Sequence, residues 1–157
     1  MLTALFVIVG TLLGPAVAEL FHARRPRRAE AGQRRERARS ETLDVVSRLA
    51  GAVSDHRRAM YQRSEAVLSG APEASIEHLR AESHRTQAQV AQPLTVLRLL
   101  VTDEQVRAAA NAMIVATFAL HRAGDSRQAL NNAREKAVRA HDMFVDAAAR
   151  HLQAADR

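Results

Sequence analysis

With 157 residues and no Cys, the chain has room for one domain and excludes disulfides and thiolate metal sites. Aromatic residues make up 3%, with four Phe, one Tyr and no Trp. That scarcity disfavours a sheet, whose faces want aromatic and β-branched side chains, and an Ala-, Leu- and Arg-rich chain favours closely packed helices. The formal charge of +6 is unevenly placed: residues 24–39 hold eight Arg against Glu30 and Glu36, so this one stretch carries a local +6 and the rest sums to zero.

In chain order, the first element is apolar. Met1 to Ala18 contains no charged side chain, and with Leu20 and Phe21 the stretch reaches roughly 20 residues, near the length that crosses a bilayer as a helix. The sequence thus predicts a transmembrane anchor over residues 1–21, with its N-terminus outside and the remainder cytoplasmic. Ala16-Val17-Ala18 also matches a signal-peptidase pattern, and cleavage after Ala18 would release a secreted helical protein. Two features oppose cleavage: no basic residue precedes the apolar run, and the Arg that follow it favour retention on the inner side. Within the span, Gly10, Gly14 and Ala18 recur every fourth residue, a small-residue stripe that would let two membrane helices approach as a homodimer, although Pro15 beside it would bend the helix.

Residues 22–40 form a basic juxtamembrane collar that carries Pro26 and Gly32 and has no apolar stripe, so it reads as a linker or frayed helical extension. Arg24, Arg25, Arg27, Arg28, Arg34 and Arg35 are the expected contacts to anionic lipid headgroups, each contributing about 1 kcal/mol at the surface, and they set topology. Nucleic acid is the weaker reading, because no aromatic residue is interleaved for base stacking.

Residues 41–157 read as an antiparallel helical bundle of about four helices, which makes the fold class all-α. Val46, Leu49, Val53, His56, Met60 and Val67 line one face of a first helix ending near Leu68, with Ser69-Gly70 closing it. Pro72 suits the first turn of a second helix, where Ile76, Leu79, Val90, Leu94, Leu97 and Leu100 face inward, Glu82 to Gln89 is polar, and Pro93 should kink or split the helix. Thr102 with Gln105 reads as a capping box opening a third helix, with Val106, Ala110, Met113, Thr117 and Leu120 inward and Gly124 at its end. Asp125 with Gln128 repeats the signature before a fourth helix that buries Leu130, Ala133, Ala137, His141, Phe144, Ala148 and Leu152. The pattern is not one long coiled coil, because the apolar repeat is not sustained across the loops.

Chemistry is sparse. Of seven His, none falls in a zinc-protease motif, and the one Glu-x-x-His, Glu19 to His22, lacks the partner pair a di-iron bundle needs, so neither a metal nor another cofactor is expected. His56 and His141 both fall on apolar stripes and could meet in the core as a buried polar pair, satisfied by a hydroxyl such as Ser64 or Thr117; an enzyme or pH sensor built on them is the remote alternative. Without a phosphate loop or nucleophile elbow, no catalytic residue is expected. Arg57, Arg58, Arg80, Arg85, Arg107, Arg134 and Arg139 read as solvated side chains paired with Asp and Glu.

An uncharged N-terminal span, an Arg-rich stretch and a small helical domain together resemble uncharacterised single-span proteins of actinobacteria. The segment VLRLLVTDEQVRAAANAMI, residues 96–114, is similar to a recurrent stretch in them. The resemblance implies fold and topology, and carries over no catalytic residue. The expected function is a membrane-tethered helical interaction or scaffold protein that contacts lipid and an unknown protein partner.

Overall fold

Helical periodicity accounts for the elements of the chain. A computed structural model describes residues 3–123 and 126–154, with side chains from Glu30 onward, as four α-helices and a short 3-10 turn: α1 (Thr3–Leu68), α2 (Glu73–Leu100), α3 (Glu104–Phe118), the turn Ala119–Arg122, and α4 (Arg127–Ala154). No strand occurs among the described residues, so the class is all-α. Two compact units, Met1–Ser40 and Glu41–Arg157, are described separately. Among the described residues no helix is long and apolar enough to cross a membrane, and the anchor expected over residues 1–21 lies outside the described side chains.

In the second unit, Val46, Leu49, Val53 and Met60 of α1 are buried as their spacing predicts. Val67 is not, at 52% exposed. A straight helix drifts by ~20° over seven residues, and Leu68 packs inward in its place. The helix closes on Gly70, whose φ of 68° is the left-handed conformation glycine adopts without strain. The Ala71 N–H then reaches back to the Ala66 carbonyl at 2.9 Å and the Gly70 N–H to Val67 at 3.2 Å, satisfying two carbonyls at the helix end.

Pro72 stands just before α2 with extended ψ of 141°, and not inside its first turn. α2 is neither split nor ended by Pro93. Its polar middle reaches the interior, because Ser83 and Thr86 are buried. Each hydroxyl donates to its own helix, Ser83 to the Arg80 carbonyl at 2.9 Å and Thr86 to the Glu82 carbonyl at 3.0 Å, so neither proton is orphaned by facing the core. Val90 and Leu97 are inward as read, whereas Leu100 is exposed and Val101, beyond the helix end, fills the inward position.

Asp103, not Thr102, caps α3: its carboxylate accepts the N–H groups of Gln105 at 2.8 Å and Val106 at 3.1 Å. An acidic cap also complements the positive helix N-terminus. For α4 the described capping contact is that of Ser126, whose hydroxyl accepts the Ala129 N–H at 3.1 Å. Gly124 and Asp125 lie outside the described residues.

Cross-helix pairs give the directions. Tyr61 meets Asn131 and Glu65 meets Arg127, so rising numbers on α1 meet falling numbers on α4. Asp103 at the start of α3 meets His151 near the end of α4, and α3 packs along α4. Both pairs of helices are antiparallel. Phe144 is fully buried in the larger apolar cluster with Leu49, Val53, Leu97 and Met113, flanked on α4 by Ala147 and Ala148. Small neighbours leave room for that one large ring. Phe144→Ala should therefore destabilise the folded chain by about 3–5 kcal/mol, measured by urea unfolding; a loss below ~1 kcal/mol would mean the ring is not packed as described.

Candidate functional site

In the collar, every residue from Glu30 to Ser40 is exposed. Arg34 approaches Glu30 at 3.8 Å and Arg39 approaches Glu36 at 4.0 Å. Ion pairs this open contribute little and leave the segment's charge available. Arg35 is exposed likewise. Arg24, Arg25, Arg27 and Arg28, and the Gly10, Gly14 and Ala18 stripe, lie outside the described side chains.

His56 is in the core at 2% exposed. Its Nδ1 lies 3.1 Å from the Thr86 hydroxyl. Because that hydroxyl gives its proton to backbone carbonyls of its own helix, Nδ1–H donates, and the Nε2 lone pair is left buried without a partner among the described residues. The ring meets Phe118 edge-on at 5.1 Å. His56 was expected beside Ser64, Thr117 or His141. It is Thr86, from the polar middle of α2, that satisfies it, while His141 is half-buried with its Nδ1 3.5 Å from Asp142.

Burial holds the His56 imidazole below its ordinary value of 6.5; a hydrogen bond to the Ser83 backbone opposes that shift and His84 adds to it. The unfolded chain consequently binds the extra proton more readily. This contribution to stability is fully present above about pH 6.5 and is lost as pH falls below it toward the folded-state value. His56→Gln, which keeps a donor for Thr86, should flatten the stability profile between pH 7 and 5 in chemical denaturation; an unchanged slope would show that His56 is not the group responsible.

The arginines separate into two groups. Arg58, Arg80, Arg85 and Arg139 pair with Asp55, Glu77, Glu82 and Glu135 on their own helices, as the spacing predicts. Arg107 does not: it donates to the carbonyls of Val101 at 2.6 Å and Arg98 at 2.5 Å, so it caps the C-terminal end of α2 from α3. Asp103 completes this corner by accepting from His151 at 3.2 Å. The Val106 and Gln105 N–H groups, with His151, hold its carboxyl below the ordinary range.

Arg57 and Arg134 also depart from the expectation, since neither has an ion-pair partner among the described residues. They line a cleft of 450 Å³ between α1 and α4, with Ser54, Arg58, Tyr61, Gln62 and Val138. Arg134 lies 4.9 Å over the Tyr61 ring, and the Tyr61 hydroxyl donates to Asn131 at 3.1 Å. The Arg57 Nη1 is buried with no partner among the described residues. Burial lowers the Arg57 pKa, Arg134 pushes the same way, and Asp142 opposes them. The sequence held one signal of this cleft: Ser54, Arg57 and Tyr61 recur at helical spacing beside the apolar stripe, as do Asn131, Arg134 and Val138. That the two rows face each other depends on helix pairing, which spacing alone does not specify.

Among the described residues no group of three or more His, Asp or Glu is arranged to hold a metal ion. No solved structure matches the chain. Sequence comparison is more informative: residues 43–152 match the KilB plasmid transfer protein family. The chain is also 38% identical over 154 residues to Protein KilB of Streptomyces lividans, covering 98% of this chain and 100% of that relative. The actinobacterial likeness seen at residues 96–114 falls within that match, and the chain belongs to the KilB plasmid transfer protein family.

Proposed function

We propose that this chain is a membrane-tethered helical module that serves plasmid transfer by holding other components together, with the unit from Glu41 onward at the cytoplasmic face. One observation carries the reading: the bundle matches the KilB plasmid transfer protein family over residues 43–152, and the likeness to Protein KilB of Streptomyces lividans runs over 98% of the chain, so that it takes in the apolar first segment and the collar as well. The uncharged stretch from Met1 to Ala18 supplies the anchor. The Arg collar supplies the orientation, because clustered cations stay on the inner side and bind anionic headgroups. The Gly10, Gly14 and Ala18 stripe is the proposed homodimer contact within the membrane. Binding, not catalysis, is the role assigned to the bundle, whose partner is another protein of the transfer process.

The second reading, an extracytoplasmic protein cleaved after Ala18, is favoured by the Ala16-Val17-Ala18 pattern. One experiment separates the two. The chain has no Cys, and Ser126 is exposed, so Ser126→Cys provides a single labelling site. In intact cells carrying the plasmid, an impermeant thiol reagent should leave it unlabelled, the intact mass should retain Met1 to Ala18, and deleting residues 1–21 should lower transfer frequency. Ready labelling, or a mature chain beginning at Glu19, would overturn the tethered reading in favour of the second.

A further inference from the structure

The α1/α4 cleft has features a solvated arginine face lacks. Three guanidinium groups, those of Arg57, Arg58 and Arg134, line one concavity, and of these Arg58 alone has an ion-pair partner among the described residues. Arg57 is partly desolvated, with a buried Nη1 that has no partner among the described residues, while Asp55 pairs with Arg58 at 3.8 Å and Glu135 with Arg139 at 3.5 Å. Asp142 offsets Arg57 only in part, since the guanidinium is still depressed. A second hollow lined by Asn131, Glu135 and Arg139 adjoins the first through Tyr61, Arg134 and Val138. The size is that of a small-molecule site.

The geometry points to a binding site for a phosphate dianion in the cleft between Arg57 and Arg134. The fit follows from the chemistry of the lining. A phosphate brings up to two negative charges and several acceptor oxygens, and guanidinium forks bind such oxygens in bidentate fashion. Placed between the two cations, it replaces repulsion between the arginines with attraction to a shared anion. The Ser54 hydroxyl and Gln62 amide add neutral donors on the same wall. Arg134, whose Cζ lies 4.9 Å from the centre of the Tyr61 ring, is positioned before the ligand arrives. The phosphate is that of a small molecule, free or esterified, or of a lipid headgroup. The site does not depend on the membrane anchor, and its failure would leave the tethering proposal standing.

Calorimetric titration of the full-length chain in neutral detergent with inorganic phosphate tests it. One saturable site per chain is expected, weakened at least about tenfold in Arg57→Gln and in Arg134→Gln, with Arg150→Gln, which does not line the cleft, unchanged. Should Arg57→Gln fail to fold, Arg134→Gln stands alone as the test, because that side chain is exposed. Phosphatidylcholine vesicles with and without phosphatidic acid identify the source: competition with inorganic phosphate that requires Arg134 assigns a lipid headgroup, and none assigns a soluble phosphate. No saturable phosphate binding, equal binding by wild type and both variants, or binding of duplex DNA through these arginines without binding of free phosphate would overturn the proposal.

Discussion

Burial of one face of α1 is the constraint on which the second unit rests. Leu49, Val53 and Met60 gain their stabilisation, about 1.5–3 kcal/mol for each large apolar side chain, only when α2 and α4 lie against them. Once that face is fixed, the rotation of the helix is fixed too. Arg57, next to His56, and Tyr61, next to Met60, are then turned toward α4 whatever their own preferences. The approach of Arg57 to Arg134 is thus imposed by the hydrophobic seam, and its electrostatic cost falls on the residues that line the cleft.

The same seam tolerates polar groups where each can return its protons to the backbone. Ser83 and Thr86 do so within α2, and Thr86 in turn accepts from His56. Thr117 Oγ1 and His56 Nε2 remain buried without partners among the described residues. Such groups reduce stability relative to an apolar core, and for His56 they make it depend on pH. At the opposite corner, Asp103 joins three tasks: it caps α3, receives His151 from α4, and sits beside the Arg107 contacts that close α2.

Much of this was legible in the residues. The apolar stripes of α1, α3 and α4 and the α1 boundary at Leu68 follow from period and glycine chemistry. Val67 and Leu100 continue the stripes in fixed steps yet are exposed, because the helix drifts so that Leu68 packs inward and because Val101, just beyond the end of α2, takes the inward position. The capping-box pattern fits Thr102, whereas the cap is its neighbour Asp103, whose carboxylate reaches the N–H groups of Gln105 and Val106. The polar stretch Glu82 to Gln89 contributes Ser83 and Thr86 to the interior, because hydroxyls that bond their own helix can face a core. The cleft was the hardest to see. Local spacing pairs each arginine with an acid three or four residues away, and this holds for Arg58 and Arg139 but not for Arg57 and Arg134.

The bundle of this plasmid transfer family member carries two arginines on neighbouring helices, Arg57 and Arg134, with no ion-pair partner among the described residues. The claim beneath the proposed site is that Arg57 and Arg134 repel each other in the unoccupied fold. A double-mutant cycle of Arg57→Gln and Arg134→Gln, followed by urea unfolding at low ionic strength in phosphate-free buffer, isolates this term, because contacts such as Arg134 with Tyr61 cancel between the two backgrounds. The account predicts an unfavourable coupling that shrinks as salt is added. A coupling of zero, or a favourable one, would contradict it.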